Sequence, residues 1–249
     1  MPTSPHQKPS QLPGVIAGIV TAVAILLLAS AYATAESPHA DAATAKLYTA
    51  HALRPMSLRL EAEHTTADIV FRMGAGHGDP VGPSFGGATP EIRALRCKTC
   101  AADLVVLARL EPEYESAFSD DGTTIFTVRR FSVAEVLRAS SLAHVKPFDE
   151  IAVSMLGGTV MINGHKIVVE PPHVAALHDN ASYILFLKAI TGSSTFQSFP
   201  QSLYDPSSGS IVPITAGRPS ALPVADARRE IEAAAALCPP GGSVAGLAY

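Results

Sequence analysis

Cys97 and Cys100 stand three residues apart in ALRCKTCAADLVVLARL, residues 94–110, directly before an apolar run. Such a pair supports three kinds of chemistry. A dithiol exchanges with other disulfides when a helix N-terminus lowers its thiol pKa. A zinc site uses a C-x-x-C as half of about four ligands. A structural bridge ties two elements together. The surrounding residues predict a helix that ends at the pair and a strand that follows it, the reverse of the order that activates a redox C-x-x-C. The negative end of a helix raises a thiol pKa, and Arg96 and Lys98 oppose this in part. For zinc, Cys238 is the one further cysteine, and the nine histidines show no ligand spacing. His173 and His178 lie five apart, whereas two ligands on one helix face are four apart. A structural role is the expectation. Three pairings stay open: Cys97 with Cys100, whose Cα atoms on a helix lie within bridging reach, or Cys238 with either, leaving one thiol free. The alternative is a thiol-active protein, redox or metal-binding, that uses Cys97 and Cys100.

Other reactive side chains gather without a catalytic pattern. Glu111, Glu113 and Glu115 alternate along a predicted strand, and Asp120 and Asp121 sit in the turn after it. Paired carboxylates could serve glycoside hydrolysis, but alternation on a strand places these acids on a solvated face. The D-x-D-x-D-G spacing of a calcium loop is missing, and so is the G-x-S-x-G of a serine hydrolase. GAGHGDPVGPSFGGATP, residues 74–90, is glycine-rich. No Gly-Lys-Ser/Thr follows it, and it reads as a linker rather than a phosphate cradle. His165 reads as a packing residue beside a turn. No residue is assigned to catalysis, a cofactor or a metal, and the balance leans away from an enzyme.

The N-terminal stretch bears on the compartment. GVIAGIVTAVAILLLASAYA, residues 14–33, carries no charge. At about 1.5 Å per residue it spans about 30 Å of hydrocarbon. Lys8 before it and Glu36 and Asp41 after it favour an inside N-terminus, and Ala33-Thr34-Ala35 is a small-x-small cleavage site. Residues 1–35 are therefore expected to be a signal peptide or a membrane anchor through 14–33. The remainder is expected to be extracytoplasmic: periplasmic, secreted or held at the inner membrane. With 47% hydrophobic and 16% charged residues, the chain can build a core. A net charge of −4 without a basic run argues against nucleic acid as a partner.

The rest alternates like a β protein between short helices. Residues 36–89 read as an Ala-, Gly- and Pro-rich lead-in and linker, with a short helix around 41–53 ended by Pro55. Thr89, Pro90 and Glu91 start a helix that runs to about Cys100. In 103–114, Leu104, Val106, Ala108 and Leu110 share one face. In 123–138 the phase slips: Phe126 and Val128 are even, Phe131 and Val133 odd, and Val136 even again, which calls for bulges or a sharp bend to keep them on one face. After a strand at 150–156, Asn163-Gly164 predicts a two-residue hairpin turn with Ile162 opposite His165, Val160 opposite Ile167 and Gly158 opposite Val169. Residues 182–190 and 195–200 form two more strands, and a hairpin crosses Pro206–Gly209. Residues 226–237 form a helix capped by Asp226, with Ala227, Ile231, Ala234 and Cys238 on one stripe. Residues 239–249 are a flexible tail.

The series ADLVVLARL, FTVRRFSVAEVLRA, EIAVSMLGGTV and ASYILFLKAI resembles an uncharacterised group of bacterial exported proteins. More remotely it is similar to the netrin-type module of the tissue inhibitors of metalloproteinases. The resemblance covers about residues 90–200 and implies a mainly β fold: an OB-like, netrin-module-like antiparallel barrel over 90–238 with a helix at each end. It implies no inhibitory mechanism. Those inhibitors chelate zinc through an N-terminal cysteine, and Cys97 lies far from Glu36, the expected new N-terminus. The expectation is a non-enzymatic binding module at the cell envelope with an unknown protein or glycan partner.

Overall fold

The computed structural model describes residues 40–49, 57–72, 89–170, 177–213 and 221–238. The expected signal or anchor over 1–35, the span 14–33, most of the glycine-rich linker, Pro55, His173 and the tail lie outside these residues. All described residues belong to one compact unit, Pro38–Tyr249.

The fold is mainly β with a few short helices. In chain order the elements are α1 (Ala42–Thr49), α2 (Leu58–Glu63), β1 (Ile69–Arg72), α3 (Pro90–Ala101), β2 (Leu104–Phe118), β3 (Ile125–Ala139), β4 (Glu150–Leu156), β5 (Gly158–Ile162), β6 (His165–Glu170), β7 (Ser182–Ala189), β8 (Thr195–Asp205), β9 (Ser210–Pro213), β10 (Leu222–Pro223) and α4 (Val224–Leu237). The large sheet runs β10-β9-β8-β4-β3-β2-β7, and β7 also pairs with β8. Strands β2, β3 and β4 pair antiparallel in series, as do β2 with β7 and β7 with β8. β4 and β8 pair in parallel. A second sheet, β1-β6-β5, joins the expected hairpin to β1, which runs parallel to β6. α2, β1 and β10 are additions to the elements expected from sequence.

The hairpin has the expected register, with Ile162 opposite His165 and Gly158 opposite Val169. Asn163 and Gly164 take φ of 50° and 83°, the left-handed pair that a two-residue turn requires. In β2, Leu104, Val106, Ala108 and Leu110 are fully buried and meet Tyr183, Leu185 and Leu187 of β7 in one core. Burying each leucine or valine among them contributes about 1.5–3 kcal/mol. Val105, Ile184 and Phe186 point to the opposite side and are covered by α3 and α4 through Leu95, Ala227 and Ile231. That second cover is why β2 and β7 read as nearly continuous apolar runs.

The phase slip in β3 resolves in two ways. Register shifts fall between Val105 and Val106 and between Leu107 and Ala108, with Ala134 and Leu137 as the extra residues on β3, and a third falls between Leu110 and Tyr114. These shifts leave Phe131 and Val133 buried in the main core with Val136 packed against it. Phe126 and Val128 do not join them. They face outward and are buried in a separate cluster with Tyr48 of α1. The expected single face is therefore two faces, each with its own cover. A second correction concerns α4. It starts at Val224 after Pro223, which makes no side-chain cap. Asp226 lies inside the first turn and pairs with Arg229 at 2.7 Å.

Candidate functional site

Helix α3 starts as expected: the Thr89 hydroxyl accepts from the Ile92 N–H, and Pro90 occupies the first turn. Its last turn places Cys100 against α4, where it bridges to Cys238 with a Cα–Cα distance of 5.1 Å. The Cys97–Cys100 pairing is thus not the one formed. Cys97 keeps a free, buried thiol. Burial pushes this thiol up, and Arg93 opposes the shift in part. The two bases expected to oppose it are engaged elsewhere. Arg96 pairs with Glu230 of α4 at 2.6 Å. Lys98 Nζ donates to the Tyr204 hydroxyl at 2.8 Å and lies 5.1 Å from the centre of that ring. Burial holds the Lys98 ammonium down at about 8 and raises the Tyr204 phenol.

The C-terminal carbonyls of α3 are held by two cations. Lys188 Nζ donates to Ala101 O at 3.2 Å, and Arg138 donates to Ala102 O. Cations at this end of a helix meet its partial negative charge. Asp103, 2% exposed, anchors the arrangement. Its Oδ2 accepts from the Ala189 N–H at 3.0 Å and lies 3.5 Å from Lys188 Nζ. Among the described residues, Oδ1 meets no donor. The cysteine region is a dense structural joint between two helices and two strands.

The acids of β2 are each engaged. Glu111 accepts from the Ser132 hydroxyl and from Arg109, which hold its carboxyl below the usual range. Glu113 lies 3.7 Å from Arg130, which also pairs with Glu150 at 3.1 Å. Glu115 accepts from the Ala40 N–H at 3.2 Å. In the β2–β3 turn, Asp121 accepts from the Ser119 and Thr123 hydroxyls. His165 is half-buried beside its turn, and the His178 N–H donates to the Tyr183 hydroxyl at 2.8 Å. Among the described residues, no group of three or more His, Cys, Asp or Glu is placed to hold a metal ion. No helix among them is long and apolar enough to cross a membrane.

Two surfaces come from the fold itself. An open cleft of about 410 Å³ lies between the β3–β4 and β7–β8 loops, with His144, Asp149, Glu150 and Ser193 around an apolar floor of Ile151 and Phe196. Ser193 is no free nucleophile here: it donates to Asp41, and its oxygen accepts from the Thr195 N–H at 2.9 Å. The second surface is the outward side of β3 and β4 under α1. There Tyr48 stacks on Phe126 with centroids 4.9 Å apart and planes 9° apart, and its hydroxyl donates to Ser154 Oγ at 3.2 Å. The expectations from sequence omitted this contact, Asp103 and the Lys98–Tyr204 pair. The signal for the first is the i, i+4 spacing of Thr44 and Tyr48, both buried.

No family model, no curated protein and no solved structure matches this chain.

Proposed function

We propose that this protein is a non-enzymatic binding module of the cell envelope, exported or held at the membrane by residues 14–33. In this reading its large sheet forms an OB-like barrel that engages a protein or glycan partner. One observation carries the reading. β8 pairs with both β4 and β7, so the ladder β4-β3-β2-β7-β8 returns to β4 with one parallel pair. Five strands in the order 1-2-3-5-4, with the third and fifth parallel, are the pattern of that barrel class. The register shifts along β2 and β3 supply the bends such a barrel needs. The Cys100–Cys238 bridge supports an oxidising compartment. Glu111, Glu113, Glu115, Asp121 and Ser193 are each held in hydrogen bonds or ion pairs, which favours binding over turnover. The test is capture of a partner from envelope extracts by the purified chain, run beside turnover assays. A chain that retains no partner and turns over a substrate contradicts the reading.

A second reading, a thiol-active envelope protein, is favoured by one feature: the free Cys97 stands three residues before the bridged Cys100 on the same helix. Alkylation mapping at graded redox potentials decides it. A bridge more reducing than about −300 mV is structural and not exchangeable.

A further inference from the structure

Helix α1 lies across β2, β3 and β4 and touches both neighbouring loops. Phe126 and Val128 are fully buried in a cluster made of Tyr48 with Ala40, Ala45 and Leu47 on one side and Ala117, Ala152 and Leu156 of the strands on the other. Their cover is therefore α1. In the β2–β3 loop, the Asp120 N–H donates to Ala45 O at 3.2 Å. In the β7–β8 loop, Ser193 donates to Asp41 and lies 3.4 Å from Thr44 Oγ1. On β2, Glu115 accepts from the Ala40 N–H.

Barrels of the OB class take ligands on the face of their second and third strands, between the loops that join strands 1–2 and 4–5. With β2, β3, β4, β7 and β8 counted as strands one to five, these sites are β3, β4 and the loops at 119–124 and 190–194. Helix α1 touches all four. An eight-residue helix has little stability of its own in water, so these contacts hold it in place.

We propose that α1 is a built-in occupant of the ligand face, displaced when a tyrosine-bearing peptide segment of a partner protein takes its place. The inference rests on the barrel reading above. The contacts of α1 define the ligand chemistry: an aromatic ring on Phe126 with its hydroxyl at Ser154, a main-chain carbonyl at the Asp120 N–H, and a main-chain N–H at Glu115. The acidic Glu115 and Asp120 disfavour a phosphate backbone. The main-chain hydrogen bonds at Asp120 and Glu115 favour a peptide over a sugar polymer.

The test is a fluorescence-anisotropy titration of the full chain with a labelled peptide of residues 40–49. In the wild type, α1 competes from within the chain and binding is weak. Tyr48→Ala removes the stack and the hydroxyl bond, and the peptide is expected to bind roughly tenfold tighter. Adding Phe126→Ala is expected to abolish that binding. Equal affinity for wild type and Tyr48→Ala overturns the proposal, as does a gain for N-acetylglucosamine oligomers in place of the peptide. A second measurement does not depend on the alanine variants folding. The chain has no tryptophan, so Tyr48→Trp supplies a single reporter. Its acrylamide quenching is expected to rise at denaturant concentrations where the far-UV signal is still native. A quenching midpoint that coincides with loss of the far-UV signal overturns the proposal, because α1 then unfolds only with the body. Partner capture by the wild type without a gain in Tyr48→Ala sinks the occupant proposal alone. Failure of both sinks the binding reading beneath it.

Discussion

Lys98 is the residue whose environment makes the sharpest claim. Burial holds its ammonium at about 8 against an ordinary 10.5. Between those values the unfolded chain binds a proton that the folded chain lacks, so stability rises with pH across that window. The buried Tyr204 phenol, shifted up from 10.0, acts in the opposite sense above pH 10. Urea unfolding at pH 7.5 and 9.5 should therefore show a gain in the wild type that is absent in Lys98→Met. Asp103 makes a second claim. Asp103→Ala leaves the Ala189 N–H unpaired and Lys188 without its carboxylate, and should lower stability by about 2–3 kcal/mol in the same experiment. Neither role was legible in the sequence, because Lys98 meets Tyr204 across 106 residues and Asp103 meets Ala189 across 86. The cysteine pairing was legible only as three options. Helix spacing allows Cys97–Cys100, and what selects Cys100–Cys238 is the packing of α3 on α4.

Elements were legible where local chemistry decides them. Thr89, Pro90 and Glu91 mark the start of α3 because they satisfy and neutralise its free N–H groups. Asn163-Gly164 sets the β5–β6 register because few residue pairs accept two positive φ values. Asp226 misled because it is a good cap residue two positions inside a helix that Pro223 had already opened. β1 escaped because four residues, Ile-Val-Phe-Arg, carry too little pattern to distinguish a strand from a loop. The outward turn of Phe126 escaped because alternation cannot tell which side a neighbouring helix will cover. The junction of β4 and β5 yields a prediction of its own. Gly158 has φ +144°, and a Cβ there would fall 2.1 Å from Thr127 Oγ1 and 2.8 Å from Ser116 Oγ. Those hydroxyls bond to each other, and Thr127 donates to Gly157 O. Gly158→Ala should cost about 2–3 kcal/mol by thermal or chemical melting, since both the backbone and the packing resist it.

At the scale of the whole molecule, one covalent link and one ladder hold the body together. The Cys100–Cys238 bridge links two residues 138 positions apart in the chain. Cys238→Ser should lower stability by about 2–5 kcal/mol, and reduction of the wild type should reproduce that loss. The returning ladder is what turns a set of strands into a surface with two loops and a sheet face, and it underlies the proposed binding role. The most direct test of that role is site-specific photo-crosslinking in cells that export the chain. A photoreactive residue would be placed at Asp120 or Thr191, exposed beside the β3–β4 face, or at Leu237, 72% exposed on α4. One discrete adduct is expected from the first two positions and none from Leu237. Adducts that are equally frequent at all three positions, or absent from Asp120 and Thr191, would contradict it.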